Sequence, residues 1–200
     1  DVCPSDRIIM PVKYNFNKNN EFIIEDYDKA KTFASFLPGI AGLDGIPMWS
    51  FYVNRGQAMG SFGVKDKDNT IMEFFPANVM YKNIELQGFR TFIKYQGQIH
   101  EIFSSTSQDK YKRRMIIEKN IIKIEEINES LNMKIVVTYF TMPKESFAAI
   151  VRKVNIENLD GIEKEIEILD GITQILPSGV KNDEYQAMSN LSRRSEEHTV

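Results

Sequence analysis

In the segment around Ile135, Val137 and Tyr139, apolar side chains fall on one side of an extended chain, with Lys134 and Thr138 on the other. The same period of two recurs at Ala148 and Ile150, at Val154 and Ile156, and at Ile166 and Ile168, where Glu165 and Glu167 oppose them. A period of two means a strand with one buried and one wet face, the usual arrangement in antiparallel sheets. Turn chemistry separates these runs: Asn128-Glu129-Ser130, Asn158-Leu159-Asp160-Gly161 and Asp66-Lys67-Asp68-Asn69. The pattern predicts strands at 47–54, 58–64, 71–76, 88–95, 98–103, 111–118, 120–127, 133–142, 147–157 and 163–172, and short strands between regular turns suggest a sandwich or barrel. Ile117, Ile121, Ile124 and Asn128 also fit helical spacing, but isoleucine-rich sequence between strands favours two strands joined at Lys119-Asn120. Residues 25–35 read as a short helical turn or an extended lead-in. Pro38 to Pro47, with three glycines, reads as a long shaped loop.

The 200 residues suit one domain, and 42% hydrophobic content is enough for a sizeable core. Twenty-five basic against 28 acidic residues leave a net charge of −3, without the basic excess of a nucleic-acid binder. The lone Cys3 allows neither a disulfide framework nor a cysteine zinc site, and His100 and His198 are too few for a histidine metal cluster. No apolar run reaches the roughly 18 residues of a membrane span and no charged-then-apolar signal peptide opens the chain, so neither a membrane nor a nucleic-acid partner is expected. Asp1 in place of Met suggests a processed or trimmed chain.

The most unusual stretch is Met48-Trp49-Ser50-Phe51-Tyr52-Val53-Asn54-Arg55-Gly56-Gln57. Sugar sites combine flat apolar faces with planar amide and guanidinium groups, and Trp49, Tyr52, Asn54, Arg55 and Gln57 supply both. The competing reading is a core tryptophan with an arginine held by a carboxylate. Gly56, Gly60 and Gly63 lack a phosphate-loop context and mark bulges or close backbone approach. In a strand, Arg90 shares a face with Phe92, which suits a rim position. The pairs Asp26/Asp28, Asp66/Asp68 and Glu125/Glu126 read as solvated carboxylates, and the basic run Lys110-Tyr111-Lys112-Arg113-Arg114 as a solvated strand face. Asp66-x-Asp68 lacks the glycine and glutamate of a calcium loop. Asp170-Gly171 reads as a strand-end turn. His100 reads as a satisfied surface or edge residue, with no serine elbow to serve. Asn128-Glu129-Ser130 and Asn190-Leu191-Ser192 match glycosylation sequons.

Several segments together resemble one family. Phe36-Leu37-Pro38-Gly39-Ile40-Ala41-Gly42, Ile46 through Gln57, Ser61-Phe62-Gly63-Val64, Glu73-Phe74-Phe75-Pro76-Ala77-Asn78, Gly88 through Lys94, Phe147 through Asn158 and Ile168-Leu169-Asp170-Gly171 are similar to the N-terminal domain of cellobiose-phosphorylase-like glycoside phosphorylases, above all the 1,2-β-oligoglucan phosphorylases. The resemblance implies an all-β fold, a large antiparallel β-sandwich of the galactose-mutarotase-like kind with few or no helices. It also implies a cytoplasmic parent enzyme that phosphorolyses β-glucosidic bonds with inversion. Inorganic phosphate would be the co-substrate, α-glucose 1-phosphate the product, and no other cofactor would be needed. In such enzymes the catalytic acid lies on an α/α barrel that follows the sandwich, so no catalytic residue is expected here. Residues 1–192 would then be an incomplete sandwich domain, inactive alone, serving as scaffold, dimer contact and lender of a loop to a β-glucan oligosaccharide. Trp49, Tyr52, Asn54, Arg55, Gln57 and Arg90 are its expected substrate contacts, and a homodimer is an expected assembly. The similarity stops near Leu191. The segment 193–200, with Arg194-Ser195-Glu196-Glu197-His198-Thr199, reads as a non-native tail like the translation of a sequencing adapter, so a truncated reading frame is expected. Without a barrel, the rival expectation is a non-catalytic carbohydrate-binding or structural sandwich.

Overall fold

A computed structural model describes residues 12–188, and it is all-β in plan. Cys3, Asn190, His198 and the segment 193–200, for which the sequence raises expectations, lie outside those residues. Strands β1 (Tyr14–Phe16), β2 (Phe22–Glu25), β9 (Tyr111–Ile117), β10 (Ile121–Asn128), β11 (Met133–Thr141) and β12 (Ile150–Asn158) form a six-stranded antiparallel sheet in the order β1-β2-β9-β10-β11-β12. Strands β3 (Ala34–Ala41), β4 (Ile46–Val53), β5 (Met59–Val64) and β6 (Thr70–Met72) form a second sheet, while β7 (Phe89–Tyr95), β8 (Gln98–Ile102) and β13 (Glu167–Ile172) form a third in the order β13-β7-β8.

Alternation decides the layering. In β11, residues Met133, Ile135, Val137 and Tyr139 are buried and the residues between them are not. They meet Ile122 and Ile124 of β10, Met115 of β9, Ile93 and Ile102 of the third sheet, and Leu37, Tyr52 and Met59 of the second. Each such side chain, fully buried, contributes roughly 1.5–3 kcal/mol before entropy is counted. The strands expected from 47 to 172 all occur, with shifted ends, and the Lys119-Asn120 junction is the β9–β10 turn.

Four expectations need correction. Pro38 to Pro47 is not all loop, because β3 runs through Pro38 and Gly39 and pairs with β4. β3 is an edge strand, where proline's missing N–H costs no ladder bond. A side chain at Gly39 would run into Thr141. The strand foreseen at 71–76 stops at Met72, and an unforeseen helix, α1 (Ala77–Gln87), follows. Only Met80 and Ile84 of α1 are buried, one helical turn apart, and they pack on Phe51 and Val53 in a second, smaller core. Asp170 and Gly171 lie inside β13, opposite Thr91 and Arg90, rather than in a turn. The fourth correction concerns the charged groups taken as solvated, described below. The residues 25–35 do contain a short 3-10 turn at Tyr27–Lys29, and a further helical segment spans 182–188.

Candidate functional site

The second sheet has two apolar faces and helix α1 covers only part of one. The β3–β4 register puts Phe36 opposite Phe51, Pro38 opposite Trp49 and Ile40 opposite Pro47 on a single face. α1 packs on the Phe51 end. Beyond it, Phe36 and Ile40 are exposed and Trp49 is half-buried. Phe36 and Phe74 flank the tryptophan edge-on, at 5.8 and 5.9 Å, and Phe51 packs against both of them, 4.9 Å from Phe36 and 5.2 Å from Phe74. The indole N–H donates to the Asp66 carbonyl at 3.0 Å, which fixes the ring. Gly63 lies directly across from Trp49, and a side chain there would collide with the indole and with the Asn69 carbonyl. The result is a rigid apolar groove lined by Pro38, Gly39, Ile40, Pro47, Met48, Trp49 and Lys65. It offers ring faces and one ammonium, suited to the C–H face of a sugar or to apolar side chains.

The other residues singled out from the sequence do not gather around Trp49. Tyr52 points to the opposite face and is buried, and burial pushes its hydroxyl up against a hydrogen bond from Ser35. Asn54 is fully buried in the turn after β4, where its side chain bonds Phe33 N and the carbonyls of Tyr27, Ala30 and Lys31. Arg55, half-buried, donates to the carbonyls of Asn54 at 2.6 Å and Ala30 at 3.1 Å. Arg90 sits on the outer face of β7 over the Phe92 ring at 4.7 Å, with its Nε 2.7 Å from Glu101. The expected same-face pairing of Arg90 and Phe92 is therefore present, with a carboxylate as partner. Gly56 adopts φ +51 and Gly60 leaves room for Met80, as the close-approach reading expects.

Gln57 belongs to a polar network that joins all three sheets. Its Nε2 donates to Thr91 Oγ1 at 2.8 Å, and its Oε1 accepts from Arg152 at 2.6 Å. Arg152 also donates to both oxygens of Asp170 at 2.6 and 2.8 Å and lies over the Phe89 ring at 4.7 Å, while Tyr139 donates to the Gln57 carbonyl. Burial would raise the Asp170 carboxyl, but hydrogen bonds from Arg152 and Thr91 hold it below the usual carboxylate range. A carboxyl lowered in the folded state adds stability above its unfolded pKa and loses it as pH falls through the folded value. The urea midpoint is therefore expected to fall below about pH 4, and Asp170→Asn to flatten part of that acid limb. An acid limb unchanged in Asp170→Asn would show that this carboxylate carries none of it.

The second network overturns the solvated reading of Glu125/Glu126, Asp28 and Arg113. Arg113 and Glu126 are opposite each other in β9 and β10, both facing inward, with Nε 2.8 Å from Oε2. Arg113 further donates to Asp28 at 3.0 Å and to the Ser104 carbonyl at 2.9 Å, and stacks over Tyr111 at 3.6 Å. Glu126 also accepts from Phe103 N and Asn128, and Asn128 in turn donates to Asp109, which holds His100 at 2.8 Å. Glu125 is buried beside Arg114 and Lys134. The sequon residue Asn128 is fully buried, so its amide is spent inside the protein. The sequence signal for this network is parity: Arg113 alternates with buried Met115, and Glu126 with buried Ile124. Among the described residues no group of three or more His, Cys, Asp or Glu side chains could hold a metal ion.

Comparison with protein-family models gives no match to the chain, and comparison with curated proteins gives none.

Proposed function

We propose that this chain is the N-terminal β-sandwich of an inverting glycoside phosphorylase. In this reading the parent enzyme cleaves β-glucosidic bonds of oligoglucans with inorganic phosphate and releases α-glucose 1-phosphate. The sandwich supplies scaffold, dimer contact and a substrate-facing surface, and leaves the chemistry to a helical barrel. Two things support it: the sequence resemblance, and an all-β architecture of the kind that resemblance implies. The observation that carries the sugar-facing role is the exposed aromatic face of β3 and β4, where Phe36 and Phe74 fix the only tryptophan edge-on. Trp49 is then the substrate contact, and Arg55 and Arg90 lie apart from it. Tyr52, Asn54 and Gln57 act indirectly, by holding the strands.

That last point favours a second reading, a structural sandwich that touches no sugar, because those amides already have their hydrogen bonds filled from within. Calorimetric titration with short β-1,2-glucans separates the two. Heat at millimolar sugar, with Trp49→Ala binding at least about tenfold more weakly (about 1.4 kcal/mol), is the expected result. The fluorescence of the single tryptophan should change on binding. Silence in both measurements with folded protein would leave the structural reading.

A further inference from the structure

We infer that strand β12 is the interface for a second copy of this chain, paired antiparallel about a two-fold axis at Asn155. This inference rests on the dimer contact of the proposed function and names the strand and register that form it, while a dimer through β12 would stand even if the chain touched no sugar. β12 closes one edge of the six-stranded sheet, and no described strand pairs with its other side. It runs nine residues without proline, glycine or bulge, in unbroken register with β11. The remaining sheet edges are poorer templates. β1 and β6 have three residues each, β3 contains Pro38 and Gly39, β8 has five, and β13 has six and includes Gly171. A long, regular edge with open amides and carbonyls invites another strand.

The side chains choose which strand. Lys153, Asn155 and Glu157 stand exposed on the outer face, and Val154 and Ile156 lie half-buried on the inner face. Neither Lys153 nor Glu157 makes an ion pair among the described residues, since the cross-strand neighbour of Glu157, Lys134, is engaged with Glu125. With the axis at Asn155, each Lys153 faces the Glu157 of the second copy, each Val154 faces an Ile156, and the two Asn155 side chains meet. An axis at Lys153 or Glu157 sets like charges opposite each other, which is destabilising. An axis at Val154 leaves Lys153 against Asn155 and Glu157 against Val151. The segment Lys153-Val154-Asn155-Ile156-Glu157 is thus complementary to its own reverse in one register. Arg152 faces inward and is already held by Asp170 and Gln57, so pairing leaves its bonds intact.

Sedimentation velocity of the whole chain from 1 to 100 μM, a range chosen to bracket roughly micromolar dimers, should show a dimer. Lys153→Glu or Glu157→Lys alone should weaken it at least about tenfold by placing like charges opposite each other, and the double swap Lys153→Glu/Glu157→Lys should restore it. In a Cys3→Ser background, Asn155→Cys should oxidise to a covalent dimer, because residues facing each other across antiparallel strands have Cα atoms about 4.5–5.5 Å apart, within disulfide reach. A monomer at 100 μM, or a dimer indifferent to either single reversal, overturns the inference. So does a swap that fails to restore the dimer.

Discussion

Arg113→Met should lower unfolding free energy by about 3–5 kcal/mol, the usual cost of removing one partner from a buried ion pair. For a chain of this size that corresponds to a melting temperature roughly 6–20 °C lower. The guanidinium is almost completely buried, with 1% of its side chain exposed, between Glu126 and Asp28. Burial opposes its charge, yet Glu126, Tyr27 and Asp28 together hold its pKa above the ordinary arginine value. Methionine fills similar space but leaves the Glu126 carboxylate, which has no exposed surface, without its cation. Glu126→Gln keeps hydrogen-bonding atoms beside Phe103 N and Arg113 and should cost less. Arg113→Met/Glu126→Leu should recover part of the loss, since removing both charges together relieves the burial penalty. A double variant no better than Arg113→Met, or a single variant within about 1 kcal/mol of wild type, would mean that water reaches this pair. Urea unfolding followed by circular dichroism provides the measurement.

Arg113 also marks what a single sequence does and does not reveal. Period-two patterning identified β11 and its neighbours because their inward residues are aliphatic or aromatic. At Arg113 and Glu126 the inward residues are charged, so the same parity reads as a wet face. Only the register across two strands shows that the charges meet each other. β3 was hidden for a similar reason. Pro38 and Gly39 are turn residues by composition, and their acceptability depends on β3 being an edge strand, a property of sheet order. α1 was hidden because it presents just Met80 and Ile84 to the core and begins after Pro76 without a side-chain cap. In the site, Trp49 was legible as an unusual aromatic. The strand expected at 47–54 already implies that Tyr52, three residues on, faces away from Trp49; what was not legible is that the turn beyond it draws Asn54 and Gln57 inward. Adjacency in sequence suggested one sugar-binding loop, whereas strand geometry divides those residues between a surface groove and two buried structural roles.

That division makes Asn54 the sharpest test of how the turn is built. Its side chain takes one hydrogen bond from Phe33 N at 3.0 Å and gives others to Tyr27 O at 3.0 Å, Lys31 O at 3.1 Å and Ala30 O at 3.4 Å. It thereby ties the end of β4 to the segment that leads into β3, where Tyr27 is itself buried and donates to the Gly56 carbonyl. Asn54→Ala removes those bonds and leaves backbone groups in a site with no exposed surface. Each buried unsatisfied group costs about 1–3 kcal/mol, and with partial relaxation a total loss of about 2–4 kcal/mol is expected. Asn54→Asp should be at least as damaging, because a carboxylate presents lone pairs to three carbonyl oxygens where the amide presented hydrogens. The groove around Trp49 lies at the other end of β4, so the protein that remains folded should retain wild-type affinity for any sugar bound there. If Asn54→Ala instead keeps wild-type stability and loses sugar binding, then Asn54 reaches the ligand and its tie to residues 27–33 is dispensable.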